Sequence, residues 1–102
     1  MSIRQLKPTN LLGKIRDCID KGNYLDTSHF LNRSTQRLIS RPEVLYVLKN
    51  GWHEKSKDKY DKHYQNWNFA IRGQTIDKRE IRVIVSFDEE DLLIITAIAL
   101  YE

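Results

Sequence analysis

The hydrophobic period of this chain changes halfway along, from about 3.6 residues to two, and that change limits what the chain can fold into. Up to residue 50, apolar side chains recur at helical spacing. Asn10 can cap a helix in which Leu11, Leu12, Ile15, Cys18 and Ile19 form one face, and Gly22 supplies its stop. Asp26 or Thr27 can cap a second helix with a narrower apolar face of Phe30, Leu31 and Leu38. Ser40 with Glu43 reads as a capping box with Pro42 in the first turn. It opens a third helix, buried through Val44, Leu45, Val47 and Leu48 and closed at Asn50 and Gly51.

Beyond residue 50 the pattern is that of strands. Trp67, Phe69 and Ile71 alternate with Asn68, Ala70 and Arg72, and Ile81, Val83, Val85 and Phe87 alternate with Glu80, Arg82, Ile84 and Ser86. An acidic turn over residues 88–91 leads into a stretch from Leu92 to Tyr101 that is apolar on both faces, as in a strand buried on both sides. A shorter strand over about 52–57 can pair with residues near 67. The expected fold is α+β, with N-terminal helices packed on one face of an antiparallel β-meander of three to four strands.

The chain is 102 residues long, which suits a single domain over 1–102. Cys18 is its one cysteine, so an intramolecular disulfide and a cysteine-rich zinc site are both excluded. Cys18 sits on the apolar face of the first helix and reads as a small buried hydrophobe. The first residues lack the apolar core of a signal peptide, and no stretch is long enough to span a bilayer, so a cytoplasmic location away from the membrane is expected.

Charge is unevenly placed. Residues 1–63 carry 13 Lys/Arg against 7 Asp/Glu, whereas residues 64–102 carry 4 against 7. A basic first half suits a polyanion-facing surface, and it suits a solvated lysine-rich surface equally well. Lys55, Lys57, Lys59 and Lys62 alternate with Glu54, Asp58 and Asp61, which reads as a solvated loop rather than a binding patch. Trp52, Tyr60, Tyr64 and Trp67 surround that loop. They can stack on single-stranded bases, or serve as core (Trp67) and half-buried surface. His53 and His63 show no ligand spacing, and no metal or other cofactor is expected. The glycines are scattered as caps and turns, with no phosphate loop among them.

His29, Arg33 and Arg37 are four residues apart, so on a helix they form one stripe. Arginines at this spacing repel, which implies either anionic partners in the fold or an anionic ligand.

Blocks spread along the chain carry a resemblance. They are Ser28 and His29, Arg33, Arg37 to Ile39, Glu43 and Val44, Leu48, Asn50 and Gly51, the run Trp67-Asn68-Phe69-Ala70-Ile71-Arg72-Gly73, Ile81 to Val85, and Ile94 to Ile98. Together they resemble a bacterial family of unknown-function domains over residues 24–101, with 1–23 left as an N-terminal helical extension. Members of that family are similar to small RelE and MqsR-like ribonuclease toxins and often lie beside genes for MqsA-type zinc-finger antitoxins. The resemblance implies helices on a curved antiparallel sheet, a metal-independent endoribonuclease, and an antitoxin partner protein. RelE-type sites gather basic and tyrosine residues near the C-terminal strands, where this chain has Arg72, Arg82 and Tyr101.

Metal-free RNA cleavage needs an acid, a base and cations around the phosphorane. Histidine titrates near working pH, at about 6.5 unperturbed. Arginine holds phosphate oxygens with a fork that keeps its charge. The expected catalytic set is His29, Arg33 and Arg82, with Arg37, Arg72 and Thr96 on phosphate. Each has a structural alternative. His29 can hydrogen-bond a neighbour. Arg33 and Arg37 can pair with Asp26, Glu43 or Glu80, and Arg82 can sit beside Asp77 or Glu80. Thr96 can be a β-branched strand former.

The expected ligand is RNA, free or ribosome-bound, and the alternative to cleavage is a non-catalytic RNA- or partner-binding module of the same fold. The apolar last strand, as an exposed edge, can also pair in a homodimer.

Overall fold

The computed structural model of the chain describes residues 9–27, 39–89 and 91–100. The expected second helix, with Phe30, Leu31, Leu38 and the stripe of His29, Arg33 and Arg37, lies outside the described residues.

Helix α1 spans Leu11–Lys21, with the Asn10 side chain accepting from Gly13 N at 3.2 Å. It ends at Gly22, whose φ of 75° is a left-handed conformation that glycine adopts at no steric cost. Helix α2 spans Arg41–Asn50. Its capping box is reciprocal: the Ser40 hydroxyl accepts from Glu43 N, and Glu43 Oε1 accepts from Ser40 N at 2.8 Å. Both ends of each helix fall where the capping residues place them.

Among the described residues six strands follow or flank these helices, and the fold class is α+β. Strand β1 is Tyr24–Asp26, β2 Trp52–His53, β3 Lys59–Asp61, β4 Asn66–Gln74, β5 Glu80–Asp88 and β6 Asp91–Ala99. The sheet order is β1-β6-β5-β4-β2, with β3 also on β4. The expected three to four strands are therefore too few. The three long ones form the meander, and the additional ones are two- or three-residue segments too short to leave a period-two signal. One of them also breaks the antiparallel pattern, because β1 pairs with β6 in parallel, Leu25 opposite Leu93. Over residues 92–94, β6 is thus an interior strand rather than the free edge expected of it.

The core joins Leu11, Ile15 and Cys18 of α1 with Val44, Val47 and Leu48 of α2, and with Ile71, Ile81, Val83, Val85, Leu92 and Ile94 of the sheet. Burial pushes the Cys18 thiol pKa up, so it stays neutral, as a buried hydrophobe does. Burial alternates from Glu80 to Val85 on β5, whereas Phe69, Ala70 and Ile71 are buried in succession on β4. On β6, Leu92, Ile94 and Ala97 are buried while Leu93, Thr96 and Ile98 are half-buried, so this strand is not buried on both faces as its composition suggested.

Helix α2 runs into β2 through Gly51, which lies against β4. A Cβ at Gly51 would stand 2.5 Å from the Arg72 carbonyl oxygen and 2.7 Å from that of Val47, both backbone atoms. Gly51→Ala should therefore cost about 3 kcal/mol, the upper part of the overpacking range. Urea unfolding would read this as a lower midpoint at unchanged slope, and a loss under about 0.5 kcal/mol would contradict the close approach.

Candidate nucleic-acid interface

The face of the sheet away from the core is organised by register. Trp52 lies opposite Arg72, Arg72 opposite Arg82, and Arg82 opposite Ile98, so these four share one row. The next row holds Ala70, Ile84 and Thr96. Thr96 reaches this face through a bulge. Ile84 pairs with Thr96 but Val85 pairs with Ile94, which leaves Ile95 as the extra residue. Without that insertion, period two would keep Thr96 on the core side with Ile94. As it stands, Thr96 is a diagonal neighbour of Arg82.

Two arginines directly opposite each other repel. The fold places Glu54 between them. Arg82 donates from Nε to Glu54 Oε1 at 2.7 Å and from Nη2 to Oε2 at 3.2 Å, and Arg72 Nη1 donates to Oε2 at 3.1 Å. Arg72 Nε also donates to Glu80 Oε2 at 2.7 Å. The Glu54 side chain is only 8% exposed. The hydrogen bond from Arg82, supported by Arg72, holds its carboxyl below the usual carboxylate range against the opposing effect of burial. Arg72 likewise lowers Glu80 and is itself raised, first by Glu80 and then by Glu54. Two carboxylates thus face two guanidinium groups, and their formal charges cancel. With the hydrogen bonds to described residues, Arg82 uses two of its five N–H donors, so its plane is fixed while donors remain for a ligand.

Glu54 was not among the expected site residues. In the sequence it is one acid in a lysine-rich stretch, and nothing local marks it as the counterion of residues 18 and 28 positions away.

The same stretch forms the edge of β4. Between the pairs His53 with Ile71 and Lys59 with Asn68, this side of the ladder has three more residues than β4. A 3-10 turn, Lys55–Lys57, takes up that excess. Glu54 N still donates to Ala70 O at 2.8 Å along the backbone, and beside the turn Ala70 N donates instead to a side chain, Asp58 Oδ1, at 3.0 Å. His53 Nε2 donates to Asp58 Oδ2 at 2.7 Å, and the Asp58 side chain is 1% exposed. Asp61 accepts from the backbone N–H groups of His63 and Tyr64 at 2.9 and 3.2 Å.

Each acid of the stretch is thus occupied within the fold, while Lys55, Lys57, Lys59 and Lys62 are exposed. The alternation of charge in sequence does not survive as alternation in space. Exposed Tyr64 and Trp52 stand at the two ends of this edge, and Trp67 packs against the core cluster with its ring 5.5 Å from that of Tyr60.

Of the expected site residues, Arg72, Arg82 and Thr96 come together on one face. His29, Arg33 and Arg37 lie outside the described residues. Of the carboxylates named as alternative partners for Arg33 and Arg37, among the described residues Asp26 pairs with Arg41, Glu43 with Arg79 and Glu80 with Arg72. Among the described residues no group of three His, Cys, Asp or Glu side chains is arranged to hold a metal ion, and no helix is long and apolar enough to cross a membrane.

Fold and surface together define a small α+β protein with a cationic, aromatic sheet edge. Residues 27–99 match the domain of unknown function DUF4258, and the chain belongs to that family. The match begins after α1, although α1 supplies part of the core. No curated protein and no solved structure matches the chain.

Proposed function

We propose that this protein binds RNA along the β4 edge. The observation that carries this reading is the separation of charge there: four lysines face solvent while Glu54, Asp58 and Asp61 are held within the fold. Such an edge attracts a phosphate backbone by counterion release, which is sequence-independent and strongly salt-dependent. The neighbouring sheet face, where Glu54 and Glu80 balance Arg72 and Arg82, adds no net charge to this edge.

A second reading, the metal-independent endoribonuclease toxin of a toxin–antitoxin pair, is favoured by the shared face of Arg72, Arg82 and Thr96. In it His29 acts as acid or base and Arg33 and Arg82 stabilise the phosphorane, with Arg37, Arg72 and Thr96 on phosphate oxygens. The 2′-oxygen attacks phosphorus, the bond to the 5′-oxygen breaks, and a 2′,3′-cyclic phosphate results. The proton leaves the 2′-hydroxyl for a base and reaches the 5′-oxygen from an acid. An antitoxin would act by covering this face.

One experiment separates the two readings. Single-stranded RNA is incubated with the protein in EDTA over a range of salt, and both retention and product ends are measured. Binding that weakens linearly in log salt, with intact RNA, supports the binding module. Cyclic-phosphate ends that disappear in His29→Ala support the nuclease. RNA neither bound nor cut at low salt would overturn both.

A further inference from the structure

Resting on the RNA-binding reading, we infer that Trp52 is a stacking platform for an unpaired base, so that the ligand of this surface is single-stranded RNA. Trp52 is 53% exposed, an unusual position for so large an apolar ring. Its backbone is nevertheless held from both sides. Gly51 N donates to Val47 O at 2.7 Å, Arg16 Nη2 donates to Gly51 O at 3.2 Å, Trp52 pairs with Arg72, and Glu54 N bonds Ala70 O. Gly51 itself is wedged between the Arg72 and Val47 carbonyls. An exposed ring on a fixed backbone loses little entropy when a ligand covers it, which is what preorganisation means for binding.

Its neighbours supply the rest of a nucleotide site. Arg72 is the cross-strand partner of Trp52 on the same face, and Arg82 follows in the row. Adjacent strands are separated by about 4.8 Å, a span that one sugar bridges between a base and its phosphate. A base on Trp52 thus places a phosphate near Arg72, whose guanidinium is anchored by Glu54 and Glu80 and partly open to solvent. The exposed Lys55 and Lys57 begin three residues along the same edge and continue the path for the backbone. In a duplex the faces of the bases are already stacked and cannot reach the ring, whereas in a single strand every base has a free face. Trp67, packed on the core and against Tyr60, is not available in this way.

The test is a titration of tryptophan emission with a single-stranded RNA decamer and with its duplex, in the wild type, Trp52→Ala, Trp52→Tyr and Trp67→Phe. Binding of the single strand should quench emission in the wild type and in Trp67→Phe. Trp52→Ala should weaken single-strand binding about tenfold, within the range of stacking losses. Trp52→Tyr should retain most of the affinity, and thermal melts should show all four proteins folded. Wild-type affinity in Trp52→Ala, or a duplex bound as tightly as the single strand, would overturn the platform. Lysine-dependent binding that persists unchanged in Trp52→Ala removes this inference alone, whereas absence of any RNA binding removes the underlying reading with it.

Discussion

Replacing Glu54 by alanine should destabilise the protein by about 3 kcal/mol, measured by urea unfolding. Removal of one member of a buried ionic network typically costs roughly 3–5 kcal/mol, because the remaining charge is left without compensation. The lower end applies here, since Arg72 keeps Glu80 and is partly open to water. Arg82 is the more severely affected, because both of its hydrogen bonds to described residues go to Glu54. A double-mutant cycle locates the cost. Glu54→Gln in a background of Arg82→Met should lose much less than Glu54→Gln alone, as the orphaned charge is then absent. A single-variant loss below about 1 kcal/mol would show that solvent, not Glu54, balances the two arginines.

The same carboxylate gives a pH dependence whose sign is determined. Its folded pKa lies below the unfolded value, so its stabilisation is complete above about pH 4.5. It is lost as pH falls through the folded value. Glu54→Gln should remove this component and flatten the acid limb of the stability profile relative to wild type.

Neutralising Lys55, Lys57, Lys59 and Lys62 together as glutamines should weaken single-stranded RNA binding roughly a hundredfold at about 0.1 M salt. Each phosphate contact to a single strand contributes about 0.7 to the slope of log affinity against log salt. Four lost contacts should therefore flatten that slope by about three. Stability should hardly change, because exposed side chains without structural partners typically contribute within about 0.5 kcal/mol each. Unchanged affinity and slope would place the RNA elsewhere or exclude it. A loss of stability instead would mean that the lysines serve the fold.

The acids between these lysines show why sequence pattern is a poor guide to surface charge. Glu54, Asp58 and Asp61 alternate with lysines in the chain, and a local reading cancels them. Asp58 instead mends the β4 ladder beside a three-residue turn, Asp61 closes a turn, and Glu54 faces two arginines from distant strands. None of these partners is within reach of a periodicity argument. The candidate site divides in the same way. Arg72 and Arg82 were legible as strand residues, since each lies in a period-two run, but the β4–β5 register sets them opposite each other. Thr96 joins them only through the bulge at Ile95, and a single extra residue of this kind leaves no compositional trace.

What the sequence alone determined is short in range. The caps at Asn10 and Ser40, the stop at Gly22 and the alternation along β4 and β5 rest on contacts within a few residues, so their causes are adjacent in the chain. The tertiary structure decided the parallel pairing of β1 with β6, the close approach at Gly51, the burial of Glu54 and the face on which Thr96 lies. These depend on which distant strand supplies the missing hydrogen bond or counterion, and that choice is made only when the sheet closes on its core.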